Sequence, residues 1–114
     1  MTATCGKTLY GYWIGKDEIF DVTRQENHDD VAYKILTEKY NVPIDRLFNS
    51  PYSIYSFMFS LGYIRVVNFD GTHGVEYYKN ARLSKLQKEF IRDAESIDVV
   101  DRHRRIVKYE TQNR

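Results

Sequence analysis

The stretch NHDD, with His28, Asp29 and Asp30, is the densest group of potential metal ligands and proton carriers in the chain. A histidine beside two carboxylates can give a divalent metal two ligands, the chemistry of a small metal-dependent hydrolase or nuclease. Such a site needs further ligands from other elements. The remaining histidines are His73, in a predicted turn, and His103, in a basic tail. The plainer reading of NHDD is a helix start, with Asn27 as cap and two acids near the positive end of the helix dipole. That reading is preferred, so His28 stays a weak metal candidate, and neither a cofactor nor a metal is expected. For nucleophilic catalysis, Cys5 has no histidine near it in sequence and no serine stands in a Gly-x-Ser-x-Gly elbow. The glycines of GTHG and YGYWIG do not spell a phosphate loop. An enzyme built on His28 and nearby carboxylates is therefore the second expectation, not the first.

Binding chemistry has more to stand on. Formal net charge is only +1, but residues 1–78 carry seven Lys/Arg against ten Asp/Glu, and residues 79–114 carry ten against six. The basic third contains a helical stripe, Arg82, Lys85, Lys88 and Arg92, and a cluster, Arg102, Arg104, Arg105 and Lys108. Tyr77 and Tyr78 precede the stripe. Cations with neighbouring aromatic rings can hold phosphates and stack bases, so these residues are the candidate nucleic-acid or partner-binding set. The chain holds ten tyrosines, a residue type that also suits protein interfaces.

A chain of 114 residues with 42% hydrophobic and 29% charged residues is expected to form one domain around one core, with 1–8 and 110–114 flexible. The single cysteine excludes an intramolecular disulfide and fits a reducing compartment. No apolar run is long enough for a membrane span, and the first residues lack the build of a secretory signal, so the expected location is cytoplasmic.

The elements that must position these residues follow from pattern. Aromatic and β-branched residues on either side of GKDE predict a hairpin over about 10–22. Val31, Ala32, Ile35, Leu36 and Tyr40 recur at helical spacing, predicting a helix over 28–40. PIDRLF reads as one helical turn tucking Ile44, Leu47 and Phe48 inward. A third, nearly all-apolar helix is predicted over 51–61, with Ser50 as cap, Pro51 at its first position and Gly62 as stop. It either crosses the core or seals a homodimer. LGYIRVVNFDG then reads as a helix stop, a strand and a hairpin turn. Arg65 faces away from Ile64 and Val66, within reach of Glu76 on the partner strand of a hairpin over about 63–78. Ser84 and Gln87 have capping-box spacing, so a helix over 84–96 is predicted, with Leu83, Leu86, Phe90, Ala94 and Ile97 on its apolar stripe. One late strand is expected near 104–109. The fold class is thus α+β: an antiparallel sheet of two hairpins plus a C-terminal strand, covered on one face by three helices.

GYWI at 11–14, Ile19 to Val22, His28, Ala32 and LGYIRV at 61–66, followed by a Ser-started helix with Leu86 and Phe90, resemble a small α+β domain recurrent in bacteriophage proteins. That domain shows Gly-x-Trp-Ile, a histidine, an alanine, then Gly-Trp-Ile-Arg-Val. The resemblance covers about residues 11–95. Tyr63 stands where a tryptophan is more usual, and the tail after 97 has no counterpart. It implies a viral origin and a place in the host-cell cytoplasm, and it brings no activity. The expected function is a small non-catalytic accessory protein that binds a host or viral protein, or nucleic acid.

Overall fold

Successive side chains of a strand point to opposite sides of its sheet, and six stretches of the described chain are built this way. The structure, a computed structural model, describes residues 10–48, 53–69, 71–101 and 105–111. Strands β1 (Tyr10–Ile14) and β2 (Ile19–Val22) make the first hairpin, and β3 (Ile64–Phe69) and β4 (Thr72–Tyr78) the second. Strands β5 (Ser96–Val100) and β6 (Ile106–Thr111) make a third. They join in one sheet of order β2-β1-β3-β4-β5-β6. With helices α1 (His28–Glu38), α2 (Ile44–Phe48), α3 (Ile54–Ser60) and α4 (Lys85–Arg92), the fold is α+β.

The sheet departs from the expected one in two ways. First, β4 and β5 pair in parallel. Parallel neighbours require a crossover, and α4 is that crossover. Second, helices cover both faces. Adjacent residues of β1 point to opposite sides, and Trp13 belongs to one apolar cluster while Tyr12 and Ile14 belong to another. The first cluster includes Ala32, Ile35 and Leu36 of α1, Met58 and Phe59 of α3, and Leu47. The second packs Ile64, Val66, Val75 and Ile97 under Leu83, Leu86, Phe90 and Ile91 from α4 and its lead-in. The chain therefore has two oily layers with a sheet between them.

The late part of the chain also corrects the expectation. α4 stops at Arg92, capped by Asp93, and Ser96 opens a strand. Ile97 fits the helical stripe by spacing, yet Ile97, Val99 and Val100 are β-branched and meet the open edge of β4. The Glu95 N–H donates to the His73 carbonyl at 2.8 Å, which pins the change of direction. β6 continues to Thr111, so residues 110 and 111 are strand and not frayed end.

The helix caps are partly those the sequence suggests. Asn27 accepts from the Asp30 N–H, and Ser84 and Gln87 form the complete capping box. α3 is capped by Ser53, which accepts from the Ser56 N–H; Ser50 and Pro51 lie outside the described residues. Gly62, at φ 94°, lets the Tyr63 N–H return to the Met58 carbonyl, the left-handed ending expected there. α2 buries only Leu47. Ile44 and Phe48 stay exposed, because one short turn cannot direct three side chains inward.

Gln87 fixes the position of α4. It is buried, its Oε1 accepts from the Ser84 N–H, and its Nε2 donates to the carbonyls of Ile14 (2.9 Å) and Gly62 (2.7 Å). One amide thus closes the helix start and ties it to the end of β1 and the end of α3. Replacing Gln87 by Leu removes its bonds to the Ile14 and Gly62 carbonyls and breaks the capping box, and should cost about 2–4 kcal/mol, whereas Glu89→Leu on the exposed face should change stability by less than about 0.5 kcal/mol. Urea unfolding of both variants checks the contrast.

Candidate functional site

A single row of paired residues crosses the sheet on the face covered by α1 and α3. Register places Phe20 opposite Trp13, Trp13 opposite Arg65, Arg65 opposite Glu76, and Glu76 opposite Asp98. The expected ion pair forms: Arg65 donates to Glu76 Oε1 at 2.6 Å, with both side chains about 15% exposed. The Arg65 guanidinium also sits 4.5 Å from the centre of the Tyr55 ring. Asp98 comes third in this row. Its carboxyl is raised above the usual carboxylate range by burial, and further by the charge of Glu76. Asp98 was not singled out from sequence. The available signal is an acid at the third position of a strand, Ser96–Val100, that alternates polar and apolar residues.

His28 stands at the edge of this row. Its carbonyl accepts from Trp13 Nε1 at 2.9 Å, and its ring contacts Trp13 edge-on. Only 3% of the residue is exposed. Burial, with the charge of Arg65 as the second cause, pushes the imidazole down to about 4, so it is neutral near pH 7. The buried side-chain polar atoms that lack a hydrogen-bond partner among the described residues are both His28 ring nitrogens, Arg65 Nε and Asp98 Oδ1. All belong to the row or to its edge.

The arrangement braces the interior of the sheet on the face covered by α1 and α3. Asp29 and Asp30 are exposed on the first turn of α1 while the His28 ring is turned into the core, so the three do not converge. Among the described residues no three His, Cys, Asp or Glu side chains stand together in a way that would hold a metal ion. His73 links strand to crossover: its Nε2 is 3.3 Å from the Phe90 carbonyl and its Nδ1 is 4.0 Å from Glu95 Oε1.

The candidate binding residues divide. Arg82, Lys85, Lys88 and Arg92 are all exposed on or beside α4, whose other side covers the sheet. Arg92 has Asp93 within 3.6 Å. Arg105 is exposed but engaged, donating from Nε and Nη2 to Asp101 Oδ2 at 2.9 and 2.8 Å. Tyr77 and Tyr78 are half-buried and pack into the second and first clusters respectively, so they do not form an open stacking surface beside the stripe. Lys108 lies on β6. Arg102, His103, Arg104 and Cys5 lie outside the described residues. The rings of α3 are directed inward: Trp13 contacts Tyr55 and Phe59, and Phe59 contacts Tyr78. No helix among the described residues is long and apolar enough to cross a membrane.

No family model matches the chain, and neither a curated protein nor a solved structure is significantly similar to it.

The buried His28 gives a pH dependence of known sign. The unfolded chain takes up its proton near pH 6.5 and the folded chain only near 4, so stability falls as pH drops between those values, by on the order of 3 kcal/mol. Asp98 acts in the opposite sense, because its raised folded value makes it a source of stability only at low pH, lost as pH rises. Urea unfolding between pH 4 and 7.5 should show a His28→Phe variant with a much flatter acid limb and an Asp98→Asn variant more stable than the parent at pH 7.

Proposed function

We propose that this protein is a small non-catalytic accessory protein whose outward basic helix face binds a polyanionic macromolecule, with nucleic acid as the partner. The observation that carries the reading is the placement of Arg82, Lys85, Lys88 and Arg92 at solvent on one side of the molecule, while the inner side of α4 is committed to the second apolar cluster. Three cations on α4 and Arg82 just before its cap present a line of charge that can neutralise successive phosphates and release their counterions.

The non-catalytic part rests on what the ionisable groups are doing. Arg65 and Glu76 bind each other, His28 is held neutral in the core, and Asp29 and Asp30 stabilise a helix start. The tyrosines beside the stripe are occupied by packing, so the proposed contact is to the phosphate backbone and carries little base preference.

Of the residues behind the resemblance to the phage domain, seven lie on β1 and β3, which pair with each other in the sheet. Trp13, Ile14, Ile64 and Val66 among them are buried, which fits a shared fold of phage type and leaves the choice of partner to the surface. On this reading the protein works in the cytoplasm of an infected host, on viral or host nucleic acid.

The test is a titration of labelled double- and single-stranded oligonucleotides at 50–200 mM salt. Using about four phosphate contacts, affinity for the duplex should fall roughly a hundredfold across that range. Lys85→Glu combined with Lys88→Glu should weaken binding at low salt and reduce the salt slope by about two. Absence of binding at 50 mM salt, or a slope the double variant leaves unchanged, would overturn the reading.

A further inference from the structure

Among the described residues the sheet ends at β2, whose outer edge has no neighbouring strand. Beside that edge, between β2 and α1, lies an open groove of about 290 Å³. Its floor is apolar, formed by Phe20, Val31 and Ile35. Exposed Ile19, 46% accessible, stands at its rim.

We propose that this groove is a peptide-binding site. It accepts an extended segment of a partner protein as a seventh strand along β2, and it selects one with alternating apolar and basic side chains. This goes beyond the proposed contact at α4 and uses another side of the molecule.

The backbone of β2 can form the ladder. Gly15 donates to the Glu18 carbonyl at 2.8 Å, which makes those two a hydrogen-bonded pair. Pairs alternate along an antiparallel ladder, so Phe20 and Val22 use their N–H and C=O groups on β1, and Ile19 and Asp21 turn theirs outward. An added strand can therefore form up to about four backbone hydrogen bonds, the usual source of affinity in strand addition.

Side-chain parity then sets the preference. A peptide residue opposite Phe20 points to the same face as Phe20, onto the floor made with Val31 and Ile35, and should be apolar. Its neighbour opposite Asp21 lies on the other face beside that carboxylate. Lys39 at the rim is already ion-paired with Glu18, and Glu26 accepts from Thr23 in the neighbourhood of Lys34. Among the described residues lining the groove the acids Asp21, Glu26 and Glu38 outnumber Lys34 and the already paired Lys39, so the net charge at the groove is negative and a basic side chain complements it.

The same register argues against a second copy as occupant. In the three antiparallel ways of pairing β2 with itself through its outward residues, Asp21 meets Asp17, Ile19 or another Asp21. Each sets an acid against an acid or an apolar chain.

The experiment titrates the full chain, labelled with ¹⁵N, with two synthetic peptides, Thr-Val-Lys-Val-Lys-Val-Thr and Thr-Val-Glu-Val-Glu-Val-Thr. The basic peptide should bind saturably below about 1 mM and the acidic one at least tenfold more weakly, with amide shifts confined to β2 and the facing side of α1. Asp21→Lys, at an exposed position, should reverse the preference while circular dichroism and melting temperature stay those of the parent. A version of the basic peptide N-methylated at alternate residues should lose binding, because the ladder is then broken. Equal binding of both peptides, shifts elsewhere, undiminished binding of the methylated peptide, or a β2-mediated dimer in light scattering would each overturn the proposal.

Discussion

Parallel pairing of β4 with β5 is the constraint on which the rest of the molecule depends. Two parallel neighbours cannot be joined by a tight turn, so the chain must leave the sheet, cross one face and return. The crossing segment is α4, and its presence converts a face that might have stayed wet into an interior. Ile14, Ile64, Val66 and Val75 are apolar for that reason: each points under α4, away from the helices of the other layer. The buried Gln87 amide then determines where the crossing lies, because it bonds to backbone groups of two separate elements at once. Without those bonds α4 would still be amphipathic, but nothing polar would fix its start over Ile14 and Gly62.

The opposite face carries a different solution to burial. Arg65 and Glu76 are removed from most of the solvent and offset their desolvation by meeting at 2.6 Å, with the Tyr55 ring over the cation. Among the described residues Asp98 extends the row without a matching cation, and His28, at the Trp13 end of the row, is neutral near pH 7. The charge that solvent meets lies outside this row, on the outside of α4 and along the β2 edge among other places. The interior row holds strands together, and it takes no part in the exposed basic face of α4.

Much of this was legible from local pattern. The first two hairpins, the Asn27 cap, the Ser84 and Gln87 box, the Gly62 stop and the Arg65 to Glu76 pair all follow from residues close in sequence, whose spacing encodes their geometry. What escaped depends on partners far along the chain. Ile97 satisfies a helical stripe and a strand alternation equally, and only the open edge of β4 decides between them. Two-sided covering was hidden for the same reason: Tyr12 and Trp13 are both apolar neighbours, and period-two reading cannot show that each has its own helix layer. The burial of His28 could not be read because Asn27, Asp29 and Asp30 around it are exposed, and a polar helix start gives no hint of one inward ring. The orientation of the basic stripe was readable, since a strongly amphipathic helix leaves little choice of side.

Strand order also has a kinetic meaning. Apart from the exchange of β1 and β2, spatial order follows chain order, so three ribbons can zip from their own turns with little loss of chain entropy. Joining β1 to β3 is different, because the whole stretch from Thr23 to Tyr63, with three helices in it, must close first. That docking is the long-range event in assembly, and Trp13 lies on the strand that makes it, its indole bonded to the His28 carbonyl only once α1 has arrived. The lone tryptophan is therefore a built-in reporter of the least local pairing by which this chain becomes ordered.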